Sequence, residues 1–439
     1  MSINTVLNRL VSVKPHEISA LLISCMYFFL VLCAYYIVRP IRDEMLIANG
    51  VANIQWLLVL TLIILLAITP AFAWLTSRFK TRQFMSYCSL FFASNLLVFY
   101  FLFDVEQRSV FVTRSFYVWV NIFNMFIVSL FWSFMNDIYS RTQSKRLFAF
   151  IGAGGTTGAI CGPIITTTLV SKIGLASLLV ISAIVLAASV VCINWLTRWQ
   201  NPEFDNEDLD KNSVVSNEEP LKGGLLDGIS LILKSPYLLG ICGFVLLYAI
   251  CIMLVQIQQA EIIEATIADP ARRTRLFSSI DLAVNVLALV FQLFVTSHLI
   301  RFFGFRKTLA LIPLGITLGF VLMVSTPLLA VFIGVEIFRR AGDYSIMKPV
   351  REMLFNIVSR EEKYKAKNFI DTTVLRGGSS LSALIYSAMK ALGVAGAALG
   401  GISIGLGLAW VGLAYWLGGQ FELNKDNTET VSTKPESGL

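Results

Sequence analysis

Apolar runs long enough to cross a bilayer recur along nearly the whole chain, separated by short polar segments rich in Lys and Arg. The pattern predicts about twelve spans, near 17–38, 54–77, 84–103, 110–136, 147–170, 175–197, 236–260, 276–300, 305–327, 328–357, 370–390 and 393–418. The tenth reads as one long helix or as two pieces. One stretch breaks the pattern. Between Val331 and Ile357 the otherwise apolar chain carries Glu336, Arg339, Arg340, Asp343, Lys348, Arg351 and Glu352. A charge at the bilayer centre costs about 2.5–3.5 kcal/mol or more, so such groups face a bundle interior or a water-filled cavity. They mark a site for a charged solute. The structural alternative is interhelical ion pairing or snorkelling at a helix end.

The spans fall into two copies of one unit. Ser140-Arg141 and Ser359-Arg360 are 219 residues apart, and at the same offset Phe150-Ile151 matches Phe369-Ile370 and Gly158 matches Gly377. DIYSRTQSKRLFAFI therefore lies over NIVSREEKYKAKNFI without a gap. An offset near half the length predicts an all-α membrane protein of twelve transmembrane helices in two six-helix halves. That is the major facilitator architecture, with substrate at the midplane between the halves. The expected divisions are an N-terminal bundle at 1–200, a polar cytoplasmic linker at 201–235, a C-terminal bundle at 236–419 and a disordered tail at 420–439. Within the linker, Leu225 to Leu233 reads as a short amphipathic helix, and so does Thr5 to Val13 before the first span.

Composition supports the membrane assignment. Of 439 residues, 56% are hydrophobic and 14% charged, against about 25% charged in soluble domains. Mean hydropathy is +0.73. No cleavable signal peptide is evident. The seven cysteines show no CxxC spacing and read as small apolar fillers. His16 and His298 are the only histidines, so no metal site is expected, and no cofactor either.

Basic residues cluster on alternate loops: Arg78, Lys80 and Arg82; Arg141, Lys145 and Arg146; Arg301, Arg306 and Lys307; Arg360, Lys363, Lys365 and Lys367. The positive-inside rule then places both termini in the cytoplasm, with Arg272, Arg273 and Arg275 as an exception. The net charge of +7 belongs mostly to these loops and needs no nucleic-acid partner. The expected partners are a small-molecule anion and the lipid bilayer, with the chain acting as a monomer.

Several constellations could bind the solute. The first span ends in YYIVRPIRDEM, where Arg39, Arg42, Asp43 and Glu44 could form an anion clamp beside Pro40, or a mere interfacial cluster. At offset 219, Arg340 lies over Asn121 and Asp343 over Asn124, so both halves offer polar residues one turn apart. The substrate-binding candidates are Arg39, Arg42, Asn121, Asn124, Arg340, Asp343, Lys348 and Arg351. Candidates for coupling or ion pairing are Asp43, Glu44, Glu261, Asp281, Glu336, Glu352 and Asp371. The stretch GAGGTTG at 152–158 lies in a span with no preceding strand, so it is no dinucleotide fingerprint. Gly158-xxx-Gly162 and Gly396-xxx-Gly400 read as helix packing. No nucleophile–base pair or metal set appears, so an enzyme is not expected.

RPIRDEM (Arg39 to Met45) and KPVREM (Lys348 to Met353), followed by Lys363, Lys365, Lys367 and Phe369-Ile370-Asp371, resemble the ATP/ADP translocase family of plastids and intracellular bacteria. The resemblance implies twelve spans of major facilitator type and nucleotide exchange. The family's motifs have the forms R-T-L-K-D and D-P-T-K-E-M, so its functional lysines fall on Arg42 and Arg351 and its Asp on Lys348. Positive charge is kept, but a planar fork replaces a point charge. The resulting expectation is a secondary transporter of an organic anion, nucleotide first, by alternating access at a central Arg-rich site in a bacterial cytoplasmic membrane. The alternatives are a proton-coupled carrier of a polycarboxylate siderophore or peptide, with Asp281 or Asp371 titrating, and a non-transporting sensor or scaffold.

Overall fold

The computed structural model describes residues 14–48, 50–78, 81–105, 109–199, 225–294, 296–358, 366–367, 369–394 and 396–432. The Thr5 to Val13 helix, most of the linker, and Lys80, Arg360, Lys363 and Lys365 lie outside them. The described chain is helical throughout. The helices are α1 (Ile18–Ala48), α2 (Ile54–Arg78), α3 (Thr81–Val105), α4 (Val110–Ile138), α5 (Arg141–Arg198), α6 (Leu225–Lys234), α7 (Pro236–Thr266), α8 (Pro270–Phe294) and α9 (Thr296–Ser325). There follow α10 (Leu329–Gly342), a π-turn (Asp343–Met347), α11 (Lys348–Leu354), a second π-turn (Ile370–Val374), α12 (Leu375–Ala391) and α13 (Ala397–Ser432). The short helix expected in the linker is α6.

Eight helices among the described residues are long and apolar enough to cross a membrane. One, Thr142–Arg198, has 57 residues, about 85 Å of helix and enough for two crossings. It breaks at Gly174, whose φ of 79° only glycine adopts freely. Two expected spans miss that standard for visible reasons: 329–354 is interrupted by charge and a π-turn, and α12 has 17 residues. The expected span at 54–77 is α2, whose 25 residues carry Arg78 as their only charge. The offset of 219 reappears in the backbone. Gly393, at φ 83°, stands that far beyond Gly174, and the first residue of α10, Leu329, that far beyond the first of α4, Val110.

By internal contacts the chain divides into two compact units. One comprises Met1–Gly50, Ile63–Glu218 and Ile267–Asn285; the other comprises Val51–Leu62, Glu219–Thr266 and Val286–Leu439.

In the first unit α1 packs along α5. The approach is close because α5 presents glycines. A Cβ on Gly154, Gly158 or Gly162 would meet a backbone oxygen of α1 at 2.4, 2.3 or 2.8 Å. Tyr27 and Phe28 of α1 pack on Phe131 of α4, Phe28 stacked at 4.0 Å between centroids. Pro163 of α5 has no N–H to give the carbonyl of Ala159; Asn285 of α8 supplies the donor at 2.8 Å.

In the second unit α9 packs on α13, and α7 on α12 and α13. Trp410 is fully buried against Phe244 and Tyr248 of α7. Gly400 does pack, since a Cβ there would meet Val324 at 2.2 Å. Gly396 does not: it is in the turn before α13 at φ 55° with open space around it. There the expected packing motif is half a turn signal. α13 runs on to Ser432, past the end of the expected last span at 418, through a polar stretch with no Gly or Pro after Gly419 to stop it.

Candidate functional site

Each unit holds its own charged cluster. In the first, Arg39 and Arg42 sit one turn apart on α1. The intervening Pro40 withdraws the helical donor from the Tyr36 carbonyl. Nε and Nη2 of Arg42 both donate to one Asp43 oxygen, at 2.9 and 2.6 Å. Its Nη1 donates to Asn121 Oδ1 at 3.3 Å and to the Tyr35 hydroxyl at 3.5 Å. The Tyr117 ring centroid lies 6.0 Å from the guanidinium carbon. Asn121 is held in place because its amide donates to the Tyr117 carbonyl, one turn back on α4, at 2.8 Å. Asn124 is half-buried one turn further on. Arg39 stands 5.4 Å from the Tyr36 ring and 3.8 Å from Asp281 Oδ2 on α8. Glu44 is fully buried on α1.

The second cluster is built on the π-turn between α10 and α11. Such a turn inserts a residue, widens the helix and is frequent at functional sites. Before it, Arg339 donates to both oxygens of Glu336, at 2.8 and 2.6 Å, and Arg340 Nε lies 4.0 Å from Glu336. At its start, Asp343 accepts from the Tyr248 hydroxyl of α7 at 2.5 Å and lies 3.9 Å from Lys348 Nζ. Lys348 is half-exposed and 4.5 Å from the Tyr344 ring centroid. After the turn, Arg351 Nη2 lies 3.3 Å from Asp371 Oδ1, within the second π-turn, and its guanidinium is 5.9 Å from the Tyr248 centroid. Tyr248 thus touches both the acid that opens the bulge and the arginine that follows it. Three guanidiniums and one ammonium share three carboxylates, leaving net positive charge for an anion.

The structure gives the candidate acids their partners. Arg340 Nε lies 4.0 Å from Glu336, one regular turn back, while Asp343 reaches Tyr248 of α7. Arg351 pairs with Asp371, not Glu352; Glu352 is exposed and takes Lys367 at 2.5 Å. Glu261 of α7 accepts from Tyr386 at 2.9 Å and Lys390 at 2.6 Å on α12, an ion pair away from the π-turn residues. Asp281, a candidate for coupling or ion pairing, lies beside Arg39. Tyr35, Tyr117 and Tyr248 went unseen in the sequence, since tyrosines in apolar runs look like any core aromatic. Another buried acid, Glu17, ties the start of α1 to α5 through Gln143 and Arg146, each at 2.9 Å.

The backbone resembles that of known transporters. A bacterial homologue of the iron transporter ferroportin in an inward-facing state has a TM-score of 0.60 at 13% identity, covering 92% of this chain and 98% of that one. The nucleoside transporter NupG has a TM-score of 0.58 at 13% identity, covering 92% and 99%. The likeness is one of fold: an all-helical chain of multi-pass architecture, with charge set deep in its apolar helices.

Sequence comparison narrows the class. The TLC ATP/ADP transporter family model matches residues 109–326 and 314–425, and the chain belongs to that family. It is 24% identical to ADP,ATP carrier protein 1 of Chlamydia muridarum (strain MoPn / Nigg), covering 86% of this chain and 83% of that one. It is also 24% identical to the chloroplastic ADP,ATP carrier protein 1 of Arabidopsis thaliana, covering 73% and 57%. The family is one of transporters, not enzymes.

Proposed function

We propose that this chain exchanges nucleotides across a bacterial cytoplasmic membrane by alternating access, with both termini in the cytoplasm. The observation that carries the reading is a pair of guanidiniums, Arg42 and Arg351, each largely buried, beside an aspartate and facing a tyrosine ring. A buried guanidinium needs a counter-charge. The aspartate supplies it in the empty protein, and a phosphate, which matches the fork bidentately, takes its place when substrate binds. The tyrosine faces suit a nucleobase or the guanidinium itself. Asn121 and Asn124 add neutral amides that can read hydroxyls or base edges. Family membership and relatives named as ADP,ATP carriers support the nucleotide as cargo.

A ligand-stabilisation screen of purified protein tests this. ATP and ADP should raise the melting temperature, while adenosine, citrate and short peptides should not. Arg42→Ala and Arg351→Ala should each abolish the nucleotide shift. A response to citrate or peptides in place of nucleotides would favour the proton-coupled alternative.

A further inference from the structure

α8 begins at Pro270 with three arginines in its first turns, and their surroundings differ. Arg273 is buried, and its Nε donates to the Ile267 carbonyl at 2.6 Å, fixing the segment that leads into the helix. Arg272 and Arg275 are exposed and one turn apart on the same face. With Ser171 of α5, Ile267, Leu276 and Ser279 they line a cavity of about 550 Å³ within the first unit.

Among the described residues, no carboxylate lies within 4.0 Å of either guanidinium. The nearby Asp269 is committed as a helix cap. Its oxygens accept from the backbone N–H groups of Ala271 and Arg272, at 3.2 and 3.1 Å. The Ser279 hydroxyl donates to the Arg275 carbonyl at 2.9 Å, so it adds no donor toward the cavity. Two planar forks and the Ser171 hydroxyl thus border the cavity, with no carboxylate of the described residues within 4.0 Å of either fork. The arginines of the two charged clusters differ here, for Arg39, Arg42, Arg339, Arg340 and Arg351 each have a carboxylate within 4.0 Å.

We infer that Arg272 and Arg275 form a second anion site, for a group bearing one or two phosphates. Two forks at one-turn spacing offer donors to several non-bridging oxygens at once, and guanidinium is the side chain that matches them. The occupant is either a soluble diphosphate or the phosphodiester headgroup of an anionic lipid. The site shares no residue with either charged cluster and does not rest on the nucleotide-exchange reading.

Site-resolved arginine modification tests it on the intact protein. The protein is placed in phosphatidylcholine nanodiscs, with and without pyrophosphate, and in phosphatidylglycerol nanodiscs without pyrophosphate. Phenylglyoxal modification is followed by peptide mass spectrometry, with exposed Arg114 as reference. Pyrophosphate should slow modification of Arg272 and Arg275 by about fivefold relative to Arg114 if the occupant is a soluble phosphate. Phosphatidylglycerol alone should do so if it is a lipid headgroup. Either result supports the site and names its source. Unchanged rates in every arm, or equal slowing of Arg114, would overturn it.

Discussion

The two charged clusters use the same ingredients and differ in how they hold them. In the first unit, Arg42 is clamped by the adjacent residue, Asp43, on a regular helix. In the second, Arg351 reaches an aspartate 20 positions along the chain, and both Asp343 and Asp371 stand in π-turns. At the repeat offset of 219, those turns fall on 124–128 and 151–155, which are regular α-helix. Among the described residues, only the second copy carries π-turns, while both arginines reach another helix, Arg42 through Asn121 and Arg351 through Asp371. On the proposed exchange, the local Arg42–Asp43 clamp serves as the anchor and the Arg351–Asp371 pair as the contact that is exchanged.

The largest effect should follow from Arg351→Ala. Removing one partner of a largely buried pair costs about 3–5 kcal/mol, toward the lower end here because Asp371 is 30% exposed. Arg351→Ala/Asp371→Ala should recover most of that stability in reversible unfolding while transport stays lost. Recovery of transport in the double variant would mean that Arg351 only balances charge.

Next in size is the lysine test. Arg42 uses three nitrogens on Asp43, Asn121 and Tyr35, whereas Arg351 meets Asp371 through one. Arg42→Lys should therefore cost about 1–3 kcal/mol of substrate affinity, and Arg351→Lys less than half of that. The ratio of dissociation constants measures it, and equal losses would erase the distinction between anchor and movable site. Tyr248→Phe should follow, costing about 1.5–3 kcal/mol as Asp343 loses a charge-assisted hydrogen bond. Its signature is a slower exchange rate with Arg42-side binding unchanged. Smallest is Lys367→Ala: Glu352 is exposed and Lys367 half-buried, so the pair should contribute at most about 1 kcal/mol to stability, vanishing in high salt.

Much of this was legible before any coordinates. Hydropathy marks the spans because a bilayer leaves few ways to hide a polar backbone. The charges of 336–352 and the Arg39–Glu44 run stand out because burying them is costly. The partners were not legible. Arg351–Asp371 and Tyr248–Asp343 join residues from different helices, and nothing in either local sequence names the other. The π-turns left no periodic trace, since each inserts a single residue. Sequence neighbours are partners where the helix is regular, at Arg42 and Asp43, but not at Arg351, whose partner is Asp371 rather than the adjacent Glu352. Gly396 shows the same limit: four-residue spacing signals packing only when both glycines are inside one helix.

Uptake of labelled ATP into proteoliposomes separates nucleotide exchange from proton coupling. Vesicles are loaded with ADP or left empty, each with and without a protonophore. Nucleotide exchange gives rapid uptake into loaded vesicles, little into empty ones, and no direct effect of the protonophore. Strong uptake into empty vesicles that the protonophore abolishes would contradict it.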